Sequence, residues 1–134
     1  MDYLLIIPSS FIFFISLINF LTIRNPNKIT QMNESISVVV PLRNEATNVA
    51  ELIDSLRAQK NLAQVEFLLL DDNSEDATLA LLQQHTSGLS NFHILNGSTL
   101  PQGWIGKTWA LQQLFERASG EIIISVDALS LIHI

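Results

Sequence analysis

Four short apolar runs recur along this chain, each closed by polar residues and separated from the next by a stretch of helical periodicity or a loop. Ile36 to Val40 is β-branched apart from Ser37 and ends at Pro41, which suits a buried strand rather than a helix. Val65 to Leu70 is a second such run, ending at Asp71-Asp72. Phe92 to Leu95 is a third, and Ile122 to Val126, ending at Asp127, is a fourth. Between the first two, Val49, Leu52, Ile53 and Leu56 fall at i, i+3, i+4 and i+7, one face of a helix. Asn48 with Glu51 three residues on resembles a capping box for it. Ser74 is the expected cap of a second helix through about Gln84, with Glu75 and Asp76 in a first turn that favours negative charge. Leu111, Leu114, Phe115 and Ala118 repeat the helical face, with Gly120 as its stop. Strands alternating with helices predict a parallel sheet joined by right-handed crossovers. Ligands of such sheets sit outside the carboxyl ends of the strands. The polar residues gather there: Arg43-Asn44-Glu45, Asp71-Asp72-Asn73, the loop Pro101 to Lys107, and Asp127.

A different signal precedes these runs. Tyr3 to Ile23 carries no charged side chain and is dominated by Leu, Ile and Phe. At 1.5 Å per residue it covers about 30 Å, the hydrocarbon thickness of a bilayer. The mean hydropathy of +0.31 agrees with an apolar segment beyond the needs of a soluble core. A cleaved leader would carry a basic start and a small-residue cleavage site, and neither is present. The span is therefore expected to be a retained anchor, with 24–35 as a polar linker broken by Asn25-Pro26-Asn27. Arg24 and Lys28 follow it and only Asp2 precedes it, which predicts a cytoplasmic location for the following domain.

Several chemistries are excluded. The chain has no cysteine, so it offers no disulfide, thiolate metal site or cysteine nucleophile. A formal charge of −6 without a basic stripe argues against a nucleic-acid partner. No Gly-x-Gly-x-x-Gly follows the first strand, and the first glycine of a P-loop ending at Gly106-Lys107-Thr108 would fall on Pro101. Asp71 and Asp72 must point to opposite faces of the sheet, so one is expected in the crevice and the other against a neighbouring loop. Both also read as plain strand-end carboxylates beside a helix start. Lys107 opens a helix whose N–H groups attract anions and would add a point charge suited to a diphosphate. Trp109 reads as packing, and His85 and His93 as structural.

Taken together, Val38 to Glu45, Leu70 to Thr78 and Gly120 to Ala128 resemble glycosyltransferase family 2. Its GT-A fold is a Rossmann-like α/β half domain that binds nucleotide sugars. The loop Pro101-Gln102-Gly103-Trp104-Ile105-Gly106-Lys107 is similar to membrane-anchored members associated with hopanoid and carotenoid pathways. The resemblance covers 36–128. It implies that Pro41, Arg43 and Glu45 line the nucleoside site and that Asp72 hydrogen-bonds the base. It also implies that Asp127 opens an Asp-x-Asp motif holding Mg²⁺ or Mn²⁺ on the diphosphate, with Lys107 beside it. The implied reaction transfers a sugar from a nucleotide-diphosphate sugar to a lipid or lipid-linked acceptor at the membrane. Leu129 stands where the second Asp is expected, and 129–134 reads as a non-native tail. The general base is expected beyond Ile134, which would leave the 134 residues without transferase activity. The alternatives are a nucleotidyltransferase, which usually opens with a glycine-rich basic loop, and a non-catalytic membrane-tethered nucleotide-binding module.

Overall fold

The computed structural model describes residues 3–22 and 32–128, with side chains from Pro8 in the first segment and from Asn33 in the second. The first segment is a single helix, α1 (Tyr3–Thr22), with Pro8 inside it and Phe11, Ile12, Phe13, Phe14, Phe20 and Leu21 exposed. Among the described residues no helix is long and apolar enough to cross a membrane. The span expected over 3–23 falls on α1, whose side chains are described only from Pro8 onward. Arg24, Lys28, the Asn-Pro-Asn break and the tail 129–134 lie outside the described residues.

The second segment alternates strand and helix, as the periodicity predicts. It runs β1 (Met32–Leu42), α2 (Val49–Arg57), β2 (Leu62–Asp71), α3 (Thr78–Thr86), β3 (Phe92–Asn96), α4 (Gly106–Arg117) and β4 (Ile122–Ser125). All neighbouring strands are parallel, in the order β3-β2-β1-β4. The chain thus builds outward from β1 to β3 and then returns across the sheet to place β4 on the other side of β1. The crevice between β1 and β4 is the point where the winding reverses, the usual ligand position in such sheets.

The pleat sorts the strand residues between two layers. Ile36, Val38, Val40, Leu42, Phe67 and Leu69 face α2 and α3, where they meet Val49, Leu52, Ile53, Leu56 and Leu82. Phe67 and Phe92 stack there with ring centroids 4.5 Å apart. Val39, Leu68 and Leu70 face the other way, against Ala110 and Leu114 of α4. Each fully buried Leu or Val in these layers contributes about 1.5–3 kcal/mol relative to an exposed position. The edge strand is less covered: Ile123 and Ile124 are 43% and 41% exposed.

Local details depart from the sequence reading. β1 and β2 begin earlier than their apolar runs, because Met32 pairs with Leu62 across an irregularity before Ser35. Residues 32–35 of the expected linker therefore belong to the sheet. β4 ends at Ser125 rather than Val126. Asn48 occupies the N-cap of α2 without a side-chain cap bond; its amide donates to Glu45 Oε2 at 2.6 Å instead. α3 starts at Thr78, not after Ser74, because Ser74 is used elsewhere. The buried stripe of α4 is Ala110 and Leu114, and Phe115 is 43% exposed: the sheet face, not the helix alone, decides which stripe turns inward.

Candidate functional site

The bend after β1 carries the first two site residues. Asn44 takes a left-handed conformation (φ 54°), which turns the chain sharply just past the strand. A second left-handed Asn, Asn73 (φ 54°), turns the chain after β2. The two bends are stitched together. Asn44 N–H donates to Ser74 Oγ at 2.9 Å, and Glu75 N–H to Asn44 Oδ1 at 2.8 Å. Glu45 N–H donates to Thr78 Oγ1 at 2.9 Å, and Ala46 N–H to Asp76 Oδ2 at 3.1 Å. Asp76 also accepts from the hydroxyl and N–H of Thr78 at Oδ1. These bonds, the Thr78 hydroxyl foremost, hold the Asp76 carboxyl below its ordinary range. Ser74 and Asp76, read from the sequence as helix-start residues, are thus cross-loop struts that fix where Arg43 and Glu45 stand.

The paired aspartates divide as the pleat requires. Asp71 turns to the α3 side, where Oδ2 accepts from Ser74 N–H at 3.3 Å and ties down the loop. Asp72 turns to the α4 side, and its Oδ2 lies 3.9 Å from Arg43 Nη1. Its backbone is clamped on one side, where its N–H donates to Leu42 O at 2.7 Å; beside it, Gly97 N–H donates to Asp71 O at 2.8 Å. A Cβ on Gly97, just past β3, would lie 3.0 Å from Asp71 O and 3.2 Å from Asp72 Oδ1, so a side chain there would push these neighbours back by a few tenths of an ångström. Nothing in the sequence alone singled out Gly97.

From the α4 side, Gly106 begins the helix close to Asp72 Oδ2, and Lys107 Nζ pairs with Asp127 Oδ2 at 2.5 Å. Together these residues enclose a cleft of about 340 Å³ lined by Pro41, Leu42, Arg43, Glu45, Asp72, Gly106, Lys107, Ala110, Asp127 and Ala128. All six residues picked from the sequence, drawn from four separate segments, meet in it. Ala110 and Ala128 also line it and were not picked. A slightly larger hollow of about 380 Å³ lies beside it over β2, β3 and α4, but it reaches neither Asp72 nor Asp127. The cleft holds three carboxylates and two cations, with Arg43 set against Asp72 and Lys107 against Asp127. Among the described residues no three metal-ligating side chains come together, and Asp127 stands at the mouth of the cleft.

A family model described as "Glycosyl transferase family 2" matches residues 37–128, well over half of the chain and the whole of this cleft. The chain belongs to glycosyl transferase family 2. It is 32% identical over 99 residues to the 4,4'-diaponeurosporenoate glycosyltransferase of Staphylococcus haemolyticus, covering 73% of this chain and 25% of that protein. It is 34% identical over 97 residues to the undecaprenyl-phosphate 4-deoxy-4-formamido-L-arabinose transferase of Salmonella choleraesuis, covering 71% and 29%. The chain thus spans between a quarter and a third of the length of these relatives. Among solved structures it is similar to the mannosyltransferase PcManGT of Pyrobaculum calidifontis in complex with GDP-Man and Mn²⁺, with a TM-score of 0.68 and 20% identity over 91% of this chain and 35% of that one. It is also similar to S. aureus TarS 1-349 in complex with UDP-GlcNAc, with a TM-score of 0.55 and 29% identity over 70% and 26%. For a family 2 chain, the parallel sheet and its switch-point crevice are the Rossmann-like half of a GT-A domain.

Proposed function

We propose that this chain is the donor-binding part of a glycosyltransferase that moves a sugar from a nucleotide-diphosphate sugar to a lipid or lipid-linked acceptor at a membrane. The observation that carries the reading is the convergence of Arg43, Glu45, Asp72, Lys107 and Asp127 on one switch-point cleft. Asp72, held in place by Leu42 O and Gly97, is the acceptor for a base N–H. Pro41, Arg43 and Glu45 form the wall against the nucleoside. Lys107 and the first N–H groups of α4 face the diphosphate, whose negative charge grows as the glycosidic bond to the leaving group breaks. Fixed charges aimed at that position lower the barrier without reorganising during the reaction.

The carboxylate of Asp127 fits Mg²⁺ or Mn²⁺ as an ion shared with the diphosphate. Such ions are commonly bound by one or two carboxylates plus substrate phosphates and water. When bound, the ion would supply further neutralisation of the leaving group. The acceptor assignment rests on the named lipid or lipid-linked substrates of the two relatives and on the apolar α1. We read α1, with the sequence on either side of it, as a single-pass membrane anchor, with the domain on the cytoplasmic face as Arg24 and Lys28 favour. The nucleotidyltransferase and non-catalytic readings gain no observation of their own.

Titration calorimetry of the detergent-solubilised chain with UDP and GDP, with and without Mn²⁺, tests the donor site. One nucleoside diphosphate should bind, more tightly with Mn²⁺, and Asp72→Ala should abolish binding. Absence of binding by either nucleotide, with Mn²⁺ present, refutes the assignment.

A further inference from the structure

The loop between β3 and α4 breaks the rules of a soluble surface. Leu100, Trp104 and Ile105 are 49%, 40% and 75% exposed within six residues. Ile105 occupies the N-cap of α4 and makes no side-chain cap bond. That position favours Ser, Thr, Asp or Asn, and a residue that cannot cap weakens the helix start. A local rule broken without local compensation marks a position kept for another use.

The loop is also held stiffly. Ser98 N–H and Oγ both donate to Gln113 Oε1 at 2.8 and 2.6 Å, fixing its start to α4. Gly103 (φ 86°) shapes a turn closed by Trp104 N–H on Pro101 O at 3.2 Å. Trp109 Nε1–H donates to Ser98 O at 3.2 Å, and its ring meets Trp104 edge-on at 5.2 Å. The tip is therefore presented outward rather than left to collapse onto the domain. Lys107 follows it directly, with 63% of its side chain exposed.

Apolar tips with indole rings and an adjacent lysine match the headgroup boundary of a bilayer better than another protein surface. The course of β1 supplies the need. It runs 11 residues from Met32 to the cleft, about 35 Å at strand rise. An anchor ahead of β1 meets the domain at the edge opposite the cleft, so by itself it leaves the cleft free to point away from the lipid. A second contact at the carboxyl edge would keep the cleft at the surface. We infer that Leu100, Trp104 and Ile105 dip into the lipid headgroup region as that second contact, an inference that rests on the anchoring role proposed for α1.

The chain's two tryptophans lie in this loop and in the first turn of α4, so its tryptophan fluorescence reports this region. The full chain is reconstituted into phosphatidylcholine–phosphatidylglycerol vesicles with and without bromine on the acyl chains. Bromine should remove most of the Trp104 emission, measured in Trp109→Phe and checked against the unsubstituted chain, and little of the Trp109 emission in Trp104→Phe. Ile105→Glu should restore the Trp104 emission while the chain still sediments with the vesicles. Sedimentation with Trp104 unquenched, or quenching that survives Ile105→Glu, overturns the inference and leaves the anchor standing. Failure to sediment removes loop and anchor together. UDP calorimetry on the same samples reports separately whether the donor site is intact.

Discussion

Replacing Thr78 with valine isolates the strut that ties the two site loops. Thr78 is fully buried, and its hydroxyl accepts from Glu45 N–H at 2.9 Å while donating to Asp76 Oδ1. Valine keeps the volume and branching, so no cavity forms and only the hydrogen bonds are lost. The Glu45 N–H is left without its partner in a half-buried position, a loss of about 1–2 kcal/mol, the lower part of the range for an orphaned donor. A second signature accompanies it. The Asp76 carboxyl is held below its ordinary value chiefly by Thr78, so its contribution is fully present above the unfolded value of 3.8 and fades as pH falls through the folded one. Urea unfolding of the detergent-solubilised chain should show a lower midpoint at unchanged slope near pH 7 and a smaller gap near pH 3. Binding of UDP should weaken in parallel, because Arg43 and Glu45 lose their fixed position. A midpoint unchanged at pH 7, or a gap that does not shrink in acid, would show that the hydroxyl is not the strut described.

Four further outcomes are expected. Gly120→Ala would set a Cβ 2.6 Å from Ser37 N and 2.8 Å from Ile36 C, backbone atoms that cannot step aside, and should cost about 1–3 kcal/mol in urea unfolding. Leu69→Ala, at a fully buried position facing α2 and α3, should cost about 2–5 kcal/mol by the same measurement. Asp72→Asn should weaken nucleoside diphosphate binding about tenfold or more in calorimetry, the worth of a hydrogen bond to a charged acceptor. For Glu66, burial alone would raise the pKa, but bonds from Ser37 and Ser119 and the field of His93 bring it below the ordinary 4.5. Its stabilisation is therefore complete above pH 4.5 and lost below the lowered value, so the Glu66→Gln deficit in thermal unfolding should vanish in acid.

The cleft was legible because each apolar run ends within two residues of its strand's end, and a parallel sheet collects those ends on one edge. Arg43, Asp72 and Asp127 could be placed together without knowing a single contact. The struts were not legible. Asn44 and Ser74 lie 30 residues apart, and the bond between them depends on the register of β1 against β2, which no local pattern records. A serine and an aspartate at a helix start carry the same local signature whether they cap that helix or brace a loop across the sheet. The α4 stripe was legible in part: Leu111, Leu114 and Ala118 pack on the sheet as expected, but Ala110 rather than Phe115 completes the stripe, because the sheet face beneath decides which apolar residue turns inward.

Asp127 shows how little of this site is held by its own ion pair. β4 offers only four residues to the sheet and pairs with β1 alone, yet the residue two beyond its end must stand opposite Lys107. The entry to β4 is fixed by a clasp at the far edge. Ser119 N–H and Oγ and Ser37 Oγ all donate to Glu66 Oε1, and Gly120 N–H donates to Ser37 Oγ. The exit is fixed by Val126 N–H on Val39 O at 3.0 Å and by Ala128, 3% exposed among the side chains under α2 and α3. The backbone on both sides of Asp127 is thus anchored by packing and by bonds to β1, while its carboxylate remains 45% exposed in the cleft. Lys107 can leave Asp127 for a diphosphate without displacing the strand. A salt bridge this exposed contributes at most about 1 kcal/mol to stability. Its removal should therefore be felt in anion binding and hardly at all in folding.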